Sequence, residues 1–437
     1  MFGYLCAGGF AKQTLVQVLM CRTLCILFLP LILFSGCYKE HIVYPDPSSG
    51  SFNFIVTDEQ ESFIYSTRSR ALIKDPLPTL YFGDESYGVD RFEIRGASSL
   101  NFRRKSWSVN MDDNIILYVD REDRPREFEE FKLISMVFDY TYIEHSIAIG
   151  FCRLLDLWPT HSEFTEVRLN DNTQGLYLFI EDPQEYFLYQ QDASFILRRY
   201  YDHTLQNYHI NELRSTPYPV QHYLANFDSL YSYITEYNGQ ALYDSLMTLL
   251  DLPQYFSKIA LDMFLQNGDC TDEIFFYTRA DGNREIFGIY PWDYDDIFAS
   301  LPHEIGRDWA PGTVFGRRHY SSMEDIIADV GVKLIFSIED DLNYKIATDE
   351  YLYARYINVL EDMMVNRITD KDIEQIILHT REEIQPFYNI DEIIAQSVYD
   401  HDETNRQLFD ENLPAKRDLL LERRNWILEE LPKHKSQ

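Results

Sequence analysis

Carboxylates are the chemistry-bearing residues that crowd together most in this sequence. Asp269, Asp272 and Glu273 precede one strand-like segment, and Asp293, Asp295 and Asp296 follow the next. Ile274 to Arg279 reads as a strand, Asp281-Gly282 as a two-residue turn, and Arg284 to Pro291 as the return strand. That turn sets a register in which Asp272 faces Pro291 and Asp269 falls level with Tyr294, so these acids collect at the hairpin's open end. Carboxylates so close repel unless they are protonated or neutralised by a cation. Magnesium or manganese suits them, because a hard cation uses one or two carboxylates and takes its remaining ligands from water and phosphate. In Asp293-Tyr294-Asp295, extended backbone puts both carboxylates on one side and the tyrosine on the other. A lone Asp-x-Asp is commonly a solvated loop. Trp292, the hairpin and Asp269 around this one favour a metal with nucleotide phosphates as its partner.

The elements that must position these acids follow from periodicity. Short strand-like runs come first: Phe52 to Val56, Thr79 to Phe82, Arg91 to Arg95 and Ser106 to Met111. Apolar residues between Tyr142 and Leu157 approximate helical spacing, and Phe164 to Leu169 with Gly175 to Ile180 reads as a hairpin. From about Phe227 onward apolar stripes at helical spacing dominate, with long amphipathic helices expected over Met323 to Asp340, Asp349 to Asn366, Asp370 to Gln385 and Lys416 to Leu431. The expected class is α+β, two-lobed, with a β-rich first lobe over about 52–190 and a mostly helical second lobe over about 191–431.

Several ordered segments resemble the CotH family of spore-coat proteins. Ile289-Tyr290-Pro291-Trp292-Asp293-Tyr294-Asp295 with Phe298 resembles its "ipWDxD..F" signature, and Asn267-Gly268-Asp269 its "N.D" element. Upstream, Arg95-Gly96-Ala97-Ser98-Ser99 with Lys105 resembles "RGxSS…K", Gly175 to Glu181 resembles "G.Y...E", and Arg423-Arg424 the closing pattern. The resemblance implies an atypical protein-kinase-like fold over 52–431 that uses ATP and magnesium. In that frame Lys105, Arg95 and Glu181 lie on the nucleotide side, Asp269 acts in the catalytic segment, and Asp293 or Asp295, with Asp272, holds metal. Asp272-Glu273 departs from the family, which commonly has an asparagine there, and Glu144-His145 stands where an arginine is frequent. Glu144 is a candidate partner for Lys105, as in ordinary kinases. The glycine-rich loops, His-Arg-Asp and Asp-Phe-Gly of conventional kinases are absent, as are zinc-protease and hydrolase motifs.

Composition bounds the partners. The 437 residues hold 39 basic against 71 acidic side chains, a formal charge of −32, which argues against nucleic acid because its binding relies on Lys and Arg. Residues 1–36 read as a signal peptide. Arg22 flanks the apolar run Leu24 to Phe34, which is too short to span a bilayer, and Met20 is an alternative start, leaving 1–19 as an upstream misannotation. Leu33-Phe34-Ser35-Gly36-Cys37 resembles a lipobox, so Cys37 is expected to carry lipid and residues 37–51 to form a tether at the outer membrane or cell surface. Cys152 and Cys270, the remaining thiols, allow at most one disulfide. The leading expectation is a kinase acting on Ser or Thr of an exported protein substrate. A non-catalytic surface binding or adhesion protein on the same scaffold, and a metal-dependent glycosyltransferase, are the rivals.

Overall fold

Aromatic and β-branched residues at alternating positions drive the chain from Phe52 into strands. The computed structural model describes residues 50–435 apart from 119–124, 140, 200–204, 213–215, 217, 272, 304, 306–319 and 396–404. The expected signal peptide, the lipidation residue Cys37 and Asp272 therefore lie outside the described residues.

The first sheet contains β1 (Phe52–Ile55), β2 (Ala71–Ile73), β3 (Thr79–Phe82), β4 (Glu85–Arg95), β5 (Ser106–Tyr118), β6 (Pro125–Ile134), β7 (Ser162–Leu169) and β8 (Asn172–Glu181). Its order is β2-β4-β3-β1-β7-β8-β6-β5, and β5 pairs back onto β4 from Val89↔Met111 to Arg95↔Ser106. Seven strands thus close into a barrel while β2 pairs with β4 alone, a closure that leaves few unpaired edges. Its interior is aromatic. Phe92 stacks on Trp107 at 4.4 Å and Phe131 on Phe179 at 5.0 Å, contacts worth about 0.5–1.5 kcal/mol each beyond simple burial.

A second, four-stranded antiparallel sheet runs β10-β9-β11-β12, from β9 (Phe195–Arg199), β10 (Leu205–Ile210), β11 (Ile274–Asp281) and β12 (Arg284–Pro291). The helices are α1 (Asp58–Ser66), α2 (Ile143–Leu154), α3 (Val220–Glu236), α4 (Gly239–Leu246), α5 (Leu252–Leu265), α6 (Met323–Val330), α7 (Asp341–Thr348), α8 (Glu350–Asp362), α9 (Asp370–Tyr388), α10 (Asp391–Ile394) and α11 (Asn405–Lys435). The protein is thus α+β, β-rich first and helical later. The barrel residues form one buried cluster, and a larger cluster runs through α2, the second sheet and the later helices.

Two sequence expectations are corrected. The helix expected over Met323 to Asp340 stops at Val330, because Gly331 turns the chain with φ +74, and helix resumes only at Asp341. The hairpin register is offset by two residues: Asp281 pairs with Arg284, leaving Gly282-Asn283 as the loop with Gly282 at φ +62. A primed turn with glycine first satisfies the strand twist there. Asp281 is instead the last strand residue, in an ion pair with Arg284 at 2.7 Å.

Candidate functional site

The shifted register still gathers the acids, by a different route. Helix α5 ends at Gln266 in the left-handed conformation, φ +54, which throws Asn267-Gly268-Asp269 across the end of β12. The Gly268 amide donates to the Asp296 carbonyl at 2.7 Å, and its own carbonyl accepts from the His303 amide at 2.8 Å. A Cβ on Gly268 would lie 2.0 Å from an Asp296 carboxylate oxygen, so only glycine allows this approach. Beneath the loop, Lys258 pairs with Asp262 at 2.7 Å and donates to the Cys270 carbonyl at 2.8 Å, while Asn267 donates to Asp262 at 3.3 Å. Cys152 and Cys270 are both buried free thiols. Asp269 consequently sits beside Asp296, with His303 Nδ1 at 3.5 Å from Asp269 and 3.8 Å from Asp296.

Asp293 and Asp295 follow β12 with opposite electrostatics. Asp293, at φ +47, loses hydration, yet its carboxyl is held below the usual range by His145, Arg95 and Arg198. Loss of hydration and the charges of Asp293, Asp269 and Asp296 push the Asp295 carboxyl well above that range. Among the described residues Asp295 has no hydrogen-bond donor or ion-pair partner.

His145 sits in the first turn of α2. The Glu144 and His145 amides donate to Asp139 Oδ2 at 2.8 and 3.2 Å, satisfying helix-end donors. The imidazole then lies between two carboxylates: Nε2 is 3.3 Å from Asp293 Oδ1, and Nδ1 is 3.6 Å from Asp139 Oδ2. Burial alone would lower its pKa, but hydrogen bonds to Asp139 and Asp293 carry it up to about 10, so it is an imidazolium at neutral pH.

Cations line the other side. The Arg95 guanidinium lies over the Trp292 ring, 5.5 Å from its centroid, a contact of about 0.5–2 kcal/mol. Burial lowers its pKa to about 10 against the pull of Asp293, and among the described residues it makes no ion pair. Arg198 is bonded to Glu273 at 2.5 Å. Lys132, on β6, is paired with Asp182, and burial together with Arg95 lowers its ammonium to about 7.

The expected residues divide. Asp269, Asp293, Asp295 and Arg95 converge around the end of β12. Lys105 does not join them: it is buried, and its ammonium donates to the carbonyls of Thr67, Leu100 and Phe102 at 2.8, 2.7 and 2.6 Å. Glu181 is fully enclosed, accepting from Arg126, Gln190 and the His161 amide. Glu144 pairs with Lys416 of α11 at 3.0 Å, not with Lys105. Sequence reasoning missed Lys132 and Arg198. Lys132 hides in the acidic run Glu129-Glu130-Phe131-Lys132, with no motif to mark it.

Among the described residues no group of three or more His, Cys, Asp or Glu side chains is placed to hold a metal ion. The arrangement still fits magnesium, which keeps water and substrate phosphate as ligands and needs only one or two carboxylates. Asp295, whose ionisation is opposed by burial and three neighbouring acids and which has no donor among the described residues, is where a divalent cation in place of the proton relieves most repulsion.

Comparison with known proteins bears on this geometry. The family model described as CotH kinase protein matches residues 92–427, a span that contains every cleft residue described above. No curated protein matches the chain significantly.

Proposed function

The chain belongs to the CotH kinase protein family, and from that premise we propose that it is an atypical kinase transferring the γ-phosphoryl group of ATP to a serine or threonine hydroxyl of an exported protein. The observation that carries this reading is a charge mismatch across one cleft. Among the described residues Arg95 is a buried cation that makes no ion pair, drawn only by the charges of Asp293 and Glu273, and Asp295 is a carboxyl whose ionisation is opposed by burial and three neighbouring acids. A metal-bound polyphosphate satisfies both at once, its phosphates meeting the cationic side and its metal the carboxylates. In this reading the barrel serves as the nucleotide lobe and the helical region as the second lobe of a protein-kinase-like arrangement.

Each group then has a task. Asp293 and Asp295 would hold magnesium, which supplies neutralisation of phosphate charge. Asp269, held by the Asn267-Gly268 turn, accepts the proton of the acceptor hydroxyl as its oxygen bonds the γ-phosphorus. The bond from that phosphorus to the β–γ bridging oxygen breaks, and ADP leaves. His145, fixed as an imidazolium between Asp139 and Asp293, orients Asp293.

Calorimetry of the full chain with ATP tests the reading. Magnesium-dependent binding that disappears on Asp293→Ala supports it. A folded wild type that binds no ATP with magnesium or manganese overturns it in favour of a non-catalytic surface-binding scaffold. The lipobox-like segment ending at Cys37 supports placement as an envelope lipoprotein. Labelling with a fatty-acid probe, retained by wild type and lost on Cys37→Ala, is the expected result.

A further inference from the structure

Lysine donor capacity separates two candidates for the phosphate contact. An ammonium has three N–H donors, and those of Lys105 are matched by three backbone carbonyls, of Thr67, Leu100 and Phe102. Turning Lys105 toward a ligand would strand those carbonyls beside the loop that precedes β5. Lys132 is differently placed. Its ammonium pairs with Asp182, and among the described residues no other acceptor engages it, so two donors remain for a ligand.

Resting on the kinase reading above, we propose that Lys132, together with Arg95, is the cation pair that receives the phosphates of the nucleotide. Strand β6 presents Lys132 between Ser108 of β5 and Ile180 of β8, and Asp182 lies just past the end of β8. Asp182 is itself fixed, its carboxylate accepting from the Gln184 amide at 2.7 Å and its own amide donating to the Glu130 carbonyl at 3.1 Å. The lysine is therefore oriented before any ligand arrives, as a positioned phosphate contact needs to be. Beyond its ion pair with Asp182, Lys132 is repelled most by Arg95, and Arg198 and Arg91 add to that repulsion while Glu130 opposes it. Cations crowded in this way favour a polyanion. Arg95, over Trp292, joins this patch to Asp293, one residue further along the chain.

The test uses the full chain, titrated calorimetrically with ATP and with inorganic tripolyphosphate, both with magnesium. Lys132→Met is expected to weaken both ligands about tenfold or more while the protein stays folded by circular dichroism. Lys132→Arg, which keeps the charge, is expected to restore most of the affinity. If Lys132→Met fails to fold, Lys132→Gln carries the same expectation. Wild-type tripolyphosphate affinity in a folded Lys132→Met or Lys132→Gln protein overturns the proposal while leaving the kinase reading intact. So does loss of that affinity on Lys105→Met with an unchanged melting midpoint. A wild type that binds neither ligand overturns both.

Discussion

The Asp295 carboxyl faces Asp293, Asp269 and Asp296 without a donor of its own among the described residues, and this makes its charge costly. A carboxyl whose folded-state pKa is raised binds its proton more tightly when folded, so the metal-free protein loses stability as pH rises through that value. Magnesium replaces the proton, so the melting-temperature gain on adding magnesium should be larger at pH 8 than at pH 5. Asp295→Asn should melt higher than wild type without metal and gain little from it; an equal magnesium gain in the variant would remove Asp295 from the metal site. His145 works with the same sign. With its folded pKa near 10 and an ordinary value of 6.5, its stabilisation is complete below about pH 6.5 and is lost as pH rises toward 10. His145→Gln should cost about 2–3 kcal/mol near pH 6.5, below the usual range for breaking a fully buried pair because Asp293 is partly exposed. It should also flatten the fall between pH 6.5 and 10, as read by urea denaturation. At this scale the acids were legible, because Asp-x-Asp and Asn-x-Asp are local patterns. Lys132 was not, since its role depends on β6 lying beside β8 and Asp182, a pairing that spans 50 residues.

Elements show where local signals suffice and where they fail. Strands β1 and β3 and the pair β7–β8 were readable from alternation and from the turn-forming run Asn170-Asp171-Asn172-Thr173, of which Asn170-Asp171 make the turn and the other two open β8. Strand β6 was not, because Pro125-Arg126-Glu127-Phe128-Glu129-Glu130 reads as a charged segment until its phenylalanines meet the barrel interior. The β11–β12 register was misplaced by two because Asp281-Gly282 and Gly282-Asn283 are both acceptable turns, and the ion pair of Asp281 with Arg284 accompanies the second. The offset preserved which faces the side chains occupy, since strand alternation has period two, and for that reason the acidic cluster survived the error. The tight contact between the 267–269 turn and Asp296 makes a direct prediction. Gly268→Ala puts a methyl 2.0 Å from the Asp296 carboxylate and 2.9 Å from Ala299 Cβ. It should destabilise by about 1–3 kcal/mol and weaken magnesium-dependent ATP binding by moving Asp269. A variant with wild-type stability and binding would show that this loop does not set the position of Asp269.

Across the whole molecule, closure of the barrel and docking of the last helix are long-range events that no short motif announces. Strand β4 meets β5 on one path and β3 on the other, so the ring exists only once seven strands are in place. Helix α11 likewise gathers distant elements. Lys416 pairs with Glu144 of α2 at 3.0 Å, Arg423 donates to the Met263 carbonyl of α5 at 2.9 Å, and Arg424 bonds the Met364 and Ile368 carbonyls and Asp370. The sequence marked Arg423-Arg424 only by resemblance; the geometry supplies the reason, since Arg423 occupies a carbonyl in the last turn of α5 and Arg424 occupies two carbonyls of the segment between α8 and α9. Arg423 and Arg424 serve different elements, so Arg423→Ala and Arg424→Ala should each cost about 1.5–3 kcal/mol in urea denaturation, with nearly additive losses in the double variant. Only Arg423→Ala should also weaken nucleotide binding, because Met263 lies in the last turn of α5, immediately before the turn that carries Asp269. Equal effects of the two variants on binding would mean that α11 supports the site through general stability, without a specific path through α5.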